Sequence, residues 1–175
     1  MRFTTLGILC TLIGSTPFAL NADPSPYAAM ENAGIKALSA DEQAALLDGK
    51  GMGFAKAAEL NGYPGPAHVL ALSAELGLSA QQIERTRALF ERMQKDARAD
   101  GAALVEAERA LDRLYAARAA TVANVDGQLA RIEATRAHLR GVHLHAHLEQ
   151  TRLLNAAQIA RYSELRGYPA EHHGH

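Results

Sequence analysis

Residues 78–119, LSAQQIERTRALFERMQKDARADGAALVEAERALDRLYAARA, decide the fold of this chain. Apolar residues recur every seven positions, at Ile83, Phe90, Ala97, Leu104 and Leu111. The other position of the same seam is occupied by Met93, Ala107 and Leu114, with Asp100 as a polar interruption. The repeat is typical of an amphipathic helix with one buried face. It predicts a helix over 80–119, about 60 Å long at 1.5 Å per residue, with a weak point for bending at Asp100-Gly101.

A second long helix follows almost at once. Thr121 is a good N-cap residue, and an apolar stripe runs through Val125, Leu129, Ile132, Leu139, Ala146 and Leu153. Two long helices joined by a very short connection lie antiparallel as a hairpin. Two helices alone cannot bury a full core, so we expect short flanking helices and a homodimer. The predicted fold class is all-α.

Shorter helices are predicted before the hairpin. Ser39 with Glu42 has the spacing of a capping box and predicts a helix that begins there. The three glycines of GKGMG (49–53) predict a break. A short helical piece, FAKAAEL (54–60), leads to a firm turn at NGYPGP (61–66). A helix over AHVLALSAEL (67–76) is then expected to stop at Gly77.

The N-terminus is interpreted as a secretory signal peptide over residues 1–22. Arg2 is followed by an apolar stretch too short to span a bilayer, and we place cleavage after Ala22. An N-terminal membrane anchor is the alternative. Removal of the signal takes away Cys10, the only cysteine. We therefore predict a periplasmic protein with a disordered segment over 23–38, a helical domain over 39–167 and a histidine-rich flexible tail over 168–175.

Composition excludes several function classes. The formal net charge of -1 leaves no basic footprint for nucleic acid, and it argues against an anionic membrane surface as partner. The sequence contains no glycine-rich phosphate loop, no nucleophile elbow and no HExxH motif. We expect that the protein is not an enzyme.

Histidines crowd the C-terminal part of the chain. Seven of the eight lie at or after position 138, and RGVHLHAHLEQ (140–150) places three at alternate positions. On a helix, His143 and His147 share one line and can present two imidazoles to one Zn²⁺ or Cu²⁺. His138 and His145 lie on another line, which we expect to be solvated. The alternative for His143 and His147 is a half-buried seam with ordinary hydrogen bonds.

Two imidazoles do not complete a metal site. If the hairpin folds about residue 120, His147 comes level with Met93 and His143 with Asp96. A thioether and a carboxylate are suitable additional ligands. The tail could bind metals loosely, and its alternative is a solvated chain end. The tail histidines are His172, His173 and His175. No cofactor is expected to be required.

Two pentapeptides, LSAQQ (78–82) and LNAAQ (154–158), resemble the LTxxQ motif that occurs twice in the Spy/CpxP family of periplasmic proteins. The chain keeps the leucine and glutamine of both motifs, at Leu78 and Gln82 and at Leu154 and Gln158. It replaces both threonines, by Ser79 and Asn155, which are also good helix caps. The resemblance covers roughly residues 66–167. It implies a long helical hairpin that dimerises into a curved cradle.

The resemblance also implies two related activities. Spy-like members are ATP-independent chaperones for unfolding periplasmic proteins, whereas CnrX-like and ZraP-like members bind transition metals in sensing or resistance. The CnrX-like ligand pattern does not carry over, because only His68 precedes the first motif. We predict a periplasmic chaperone of the envelope-stress type, modulated by metal, whose partners are unfolded proteins. The alternative is a metal sensor or metal-binding resistance protein with a membrane-bound sensor or anti-sigma partner.

Overall fold

The computed structural model describes residues 25–168, so the predicted signal peptide and the three tail histidines lie outside the described residues. The chain divides into two units, of which the first ends at Asn32 and the second begins at Ala33. The described part of the first unit contains a 3-10 turn at Ala28–Met30. The second unit is helical, and no strand occurs within residues 25–168.

Six α-helices follow in the second unit. They are α1 (Ala40–Leu47), α2 (Lys56–Glu59), α3 (Pro66–Ala71), α4 (Ala80–Ala116), α5 (Val122–Leu153) and α6 (Ala156–Leu165). The predicted all-α class, with a long helix pair and short flanking helices, is confirmed. Within residues 25–168, no helix combines the length and apolar character needed to cross a membrane.

Helices α4 and α5 form an antiparallel hairpin. Near its open end, Arg92 donates to Glu149 at 2.8 Å. Nearer the connection, the Gln128 amide donates to the carbonyl of Ala107 at 2.8 Å. Helix α4 ends three residues before the predicted position, and Arg118 adopts a left-handed φ of 53° in the turn that follows. The helix is continuous through Asp100 and Gly101.

Four of the helices begin with a complete capping box. The cap and N3 residues are Ser39 and Glu42 in α1, Ser79 and Gln82 in α4, Thr121 and Asn124 in α5, and Asn155 and Gln158 in α6. Each side chain bonds the backbone N–H at the other end of its box, so two free helix-end donors are satisfied at once. The caps predicted at these four sites are confirmed.

The two pentapeptide motifs dock against each other. The Gln82 amide donates to Gln158 Oε1 at 2.8 Å and to the Leu153 carbonyl at 2.8 Å. In turn, the Gln158 amide donates to the Leu76 carbonyl at 3.4 Å. The two glutamines therefore tie the start of α4 to the end of α5 and the start of α6.

Two buried apolar clusters hold the fold together. One lies along the hairpin and includes Leu104, Ile132 and Leu139. The other lies at the end where the motifs meet and includes Val69 and Tyr162. Burial of such side chains contributes about 1.5–3 kcal/mol each relative to full exposure.

The segment before α1 corrects one prediction. Residues 23–38 were expected to be disordered, but Ile35 and Leu38 are only 2% and 7% exposed and belong to the hairpin core. For residues 35–38 the prediction was wrong, because two apolar anchors in a small-residue run are enough to bury the segment. Tyr168, assigned to the flexible tail, is also half-buried and hydrogen-bonded to Glu59.

Glycines with positive φ shape the turns between the short helices. Gly49, Met52 and Gly53 all have positive φ, and the predicted break at GKGMG is confirmed. Helix α3 is shorter than predicted: it ends at Ala71, and turns lead to Gly77 with φ 59°. Pro66 occupies the first turn of α3, where its missing N–H costs nothing.

Candidate metal-binding site

The four histidines of α5 divide into a buried pair and an exposed pair. His143 and His147 are 3% and 8% exposed. His138 and His145 are exposed, and His138 contacts Asp100 at 2.6 Å on the helix surface. The helical spacing therefore separates them as predicted, with one pair directed into the fold.

His147 is held by the backbone of the turn between α2 and α3. Its Nδ1 lies 2.8 Å from the carbonyl oxygen of Tyr63. A carbonyl oxygen can only accept, so Nδ1 carries a proton, and in the neutral ring this tautomer leaves the lone pair on Nε2. Gly65 lies against this second nitrogen, since a Cβ there would stand 2.9 Å from Nε2.

His143 is stacked on Phe54 from the segment before α2. The ring centroids are 6.0 Å apart and the planes differ by 14°. The Nε2 atom is buried and has no hydrogen-bond partner within residues 25–168. Burial, followed by the nearby His147, lowers the pKa of His143 below its usual 6.5. The imidazole is therefore neutral at neutral pH, as a metal ligand must be.

Glu59, at the end of α2, places a largely buried carboxylate beside these rings. Its Oε1 accepts hydrogen bonds from Tyr162 at 2.6 Å, Tyr168 at 3.1 Å and Arg166 at 3.2 Å. Its Oε2 is buried with no hydrogen-bond partner among the described residues, and it lies 3.8 Å from His147 Nδ1. One oxygen is satisfied and the other is open to a further positive group.

His68 of α3 also lies near Glu59. Its Nδ1 lies 3.7 Å from Glu59 Oε1 and 3.4 Å from the Tyr162 hydroxyl. Burial lowers the pKa of His68, with Arg166 and His147 acting in the same direction and Glu59 opposing them. Burial and the bond to Glu59 raise the pKa of Tyr162, so its hydroxyl stays protonated and donates.

Two adjoining hollows open beside this cluster. One, of about 310 Å³, is lined by His68, Met93, His143 and His147. The other, of about 420 Å³, is lined by Glu59, His68, His147 and Tyr168. Both are lined by His68 and His147. We call the two hollows together the histidine cleft.

The structure brings together only part of the predicted ligand set. Met93 lines the cleft with His143 and His147, at the level that the hairpin register predicts. Asp96 lines a separate hollow of about 160 Å³ with His145 and Glu149. The Asp96 side chain of α4 therefore faces the same hollow as the exposed face of α5 and does not line the cleft.

Sequence reasoning missed Glu59 and His68. Glu59 lies in a four-residue helix with no spacing signal, and apart from His68 its partners are 88 or more positions away in sequence. His68 did carry a weak signal, because it is the one histidine outside the C-terminal crowd.

The side chains of the cleft are of the kinds that bind metal ions, but they are not arranged around a common point. Within residues 25–168, no three His, Cys, Asp or Glu side chains are already grouped to hold an ion. The nitrogen of His147 nearest to Glu59 also contacts the Tyr63 carbonyl. Yet the partnerless atoms, His143 Nε2 and Glu59 Oε2, are donors that Zn²⁺ and Cu²⁺ accept. These atom types are ones that a borderline cation prefers.

Comparison with known proteins adds no relative. No family profile, no curated protein and no solved structure matches this chain. The resemblance to the Spy/CpxP family therefore stays a prediction carried by the two capped motifs.

Proposed function

We propose that this protein binds a Zn²⁺ or Cu²⁺ ion in the histidine cleft and works in the periplasm as a metal-sensing or metal-buffering protein. The observation that carries the proposal is the pair of buried, partnerless atoms, His143 Nε2 and Glu59 Oε2. Each such atom costs about 1–3 kcal/mol when it is left unpaired. A side chain that only filled the space between helices could be leucine, which would avoid this cost.

The donor set favours borderline metals. His143, His147 and His68 supply imidazole nitrogens, Glu59 a carboxylate oxygen and Met93 a thioether. Imidazole suits zinc and copper, whereas magnesium and calcium prefer oxygen ligands alone. Neighbouring groups orient two of the proposed ligands. Tyr63 fixes the tautomer of His147, and hydrogen bonds from Tyr162, Arg166 and Tyr168 orient Glu59.

The periplasmic location rests on the sequence. Residues 1–22 have the features of a secretory signal, and the chain after Ala22 contains no cysteine. The resemblance of both capped motifs to LTxxQ favours the same compartment. A membrane-bound partner and the use of a second copy of the chain stay predictions of that resemblance.

Thermal unfolding tests the proposal. A ligand that binds only the folded state at 100 times its dissociation constant stabilises by about 2.7 kcal/mol. We expect Zn²⁺ to raise the melting temperature of the EDTA-treated protein. Glu59→Gln should reduce the increase, while Glu75→Gln, an exposed glutamate in the turns after α3, should leave it unchanged. If Zn²⁺ raises the melting temperature of both variants equally, Glu59 is not a ligand.

A chaperone function is the second candidate, and one observation favours it. Tyr115, Val122 and Leu129 are 59%, 80% and 44% exposed around the connection between α4 and α5. Exposed apolar side chains of this kind form contact surfaces for partners. Suppression of client aggregation in EDTA would support chaperone action, and Tyr115→Ser/Val122→Ser should weaken it. If the same change only lowers the molecular mass in solution, the surface joins two copies of the chain.

A further inference from the structure

A groove beside α2 adjoins the histidine cleft, with which it shares Met52, Gly53, Lys56 and Leu60, and it is unexplained by metal binding. It has a volume of about 730 Å³ and lies between the segment 52–61 and α5. Its apolar lining includes Met52, Phe54 and Leu60. A volume of this size lies in the range of small-molecule sites, which are mostly apolar with a few polar groups that fix orientation.

The groove is lined by three cations and one carboxylate, Glu133, and within the described residues two of the cations have no ion pair. Arg136 pairs with Glu108 at 3.1 Å and lies 3.8 Å from Glu133. By contrast, Lys56 from α2 and Arg140 from α5 line the groove without an ion pair within residues 25–168. Two uncommitted cations beside an apolar floor complement one anionic group attached to an apolar body.

The rim of the groove is held in an unfavourable backbone conformation. Met52 has φ 43°, a left-handed value that side-chain-bearing residues rarely adopt. Its side chain is 43% exposed, and that of Leu60 is 52% exposed. Backbone strain of this kind clusters at functional sites, and methionine adapts readily to ligands of different shape. Met52 thus places an adaptable apolar side chain at the rim.

We propose that this groove binds the free monomer of a long-chain carboxylate of the fatty-acid class. The aliphatic chain packs against Met52, Phe54 and Leu60, and the carboxylate pairs with Lys56 and Arg140. A guanidinium can hold a carboxylate through two parallel hydrogen bonds. A membrane surface is a poorer match, because the chain has a net charge of -1 and, among residues 25–168, the groove offers only two cations without an ion pair.

Calorimetric titration with dodecanoate below its micelle concentration tests the proposal. EDTA is present throughout, so the result is independent of metal binding in the cleft. We expect one saturable site per chain. Lys56→Gln/Arg140→Gln should weaken the affinity about tenfold, the scale of lost charged hydrogen bonds. The matched control is Lys95→Gln/Arg131→Gln, which removes two exposed cations from α4 and α5 outside the groove.

Two further measurements distinguish the contribution of the carboxylate from that of the aliphatic chain, and binding of the monomer from binding to a membrane. Dodecanol, which lacks the charge, should bind at least about tenfold more weakly than dodecanoate to the unchanged protein. Saturable dodecanoate binding whose affinity the control keeps and the groove variant weakens supports the proposal. No saturable binding, equal weakening in the control, or sedimentation with anionic vesicles in the absence of monomer binding would overturn it.

Discussion

The Nδ1 atom of His147 lies 2.8 Å from the backbone carbonyl oxygen of Tyr63, a residue 84 positions earlier in the chain. The contact joins the long helix α5 to the turn between two of the shortest helices. It assigns the proton of the imidazole to Nδ1 and leaves Nε2 as the nitrogen available for a ligand. Gly65 lies directly beside that nitrogen.

Gly65→Ala should therefore block the site without unfolding the protein. The backbone at Gly65 has φ -89° and ψ 141°, which alanine adopts without strain. A Cβ there would stand 2.8 Å from Cε1 and 2.9 Å from Nε2 of His147, so the ring must move. We expect zinc affinity to fall about 10–100-fold, measured by competition with a zinc-binding dye.

Gly51→Ala is the matched control for that change. A Cβ at Gly51 would stand 4.0 Å from His143 Nδ1, which is an ordinary contact. Zinc affinity should stay within about twofold of the unchanged protein, since surface-type substitutions of this kind cost less than about 0.5 kcal/mol. If both alanines weaken zinc equally, the position of the His147 ring does not matter for binding.

Acid should destabilise the metal-free protein through His143 and His68. Both imidazoles have a folded-state pKa below 6.5, because burial disfavours the charged form. Between that lowered pKa and 6.5 the unfolded chain binds more protons, so stability falls as the pH falls through this window. Above about pH 6.5 both states are neutral at these groups and stability should level off.

Urea unfolding in EDTA at several pH values between 7.5 and 5 measures this effect. His143→Phe keeps an aromatic ring beside Phe54 but cannot titrate, so its stability should decline less on acidification. His145→Phe, on the exposed line of the same helix, should decline like the unchanged protein. Parallel curves for all three proteins would mean that His143 has the same pKa in both states.

The pair Gln82 and Gln158 should be energetically coupled. Each single change to alanine removes half of a capping box as well as the shared amide contact, and should cost about 1–2 kcal/mol. The double variant should cost about 0.5–1.5 kcal/mol less than the sum of the two. Gln81→Ala, an exposed neighbour in the same turn, is the control. Additive free energies of unfolding would mean that the motifs cap their helices independently.

Gly101→Ala should be strongly destabilising. A Cβ at this position would lie 2.1 Å from the carbonyl oxygen of Leu46, which is backbone and cannot turn away. The loss of α1 packing on α4 should cost about 3 kcal/mol. Gly127→Ala in α5 has no atom within 4 Å of the new Cβ and should instead stabilise by about 0.5–1 kcal/mol. Equal effects in chemical denaturation would contradict the close contact of α1 with α4.

The sequence predicted the hairpin because its signals are local. Seven-residue periodicity locates α4, and capping boxes at Ser79, Thr121 and Asn155 mark where three helices begin. The burial of His143 and His147 follows from the same periodicity. In contrast, Gly101 was interpreted as a weak point of the helix, although its role is to let α1 approach. Periodicity within one helix carries no information about a neighbour.

The cleft could be predicted only on its hairpin side, at His143 and His147 of α5 and Met93 of α4. Glu59 and Tyr63 reach His147, and His68 reaches Glu59, because a chain of short turns folds back over α5, and no repeat or motif encodes that path. Asp96 illustrates the opposite error: the hairpin register placed it level with His143, yet its side chain lies on the other side of the seam. A register fixes height along a helix pair but leaves the direction of each side chain open.

A calorimetric zinc titration of paired histidine variants tests the central claim most directly. The tail histidines His172, His173 and His175 are first replaced by serine, so that loose binding at the chain end does not contribute. On this background, the buried pair is removed by His143→Ala/His147→Ala and the exposed pair by His138→Ala/His145→Ala. Circular dichroism establishes that each variant keeps its helices.

The account predicts one saturable zinc site in the background protein, retained when the exposed pair is removed and lost when the buried pair is removed. Both variants lose two histidines from the same helix, so the comparison isolates burial in the cleft. Zinc binding that survives the loss of His143 and His147, or that disappears equally with His138 and His145, would contradict the proposed site.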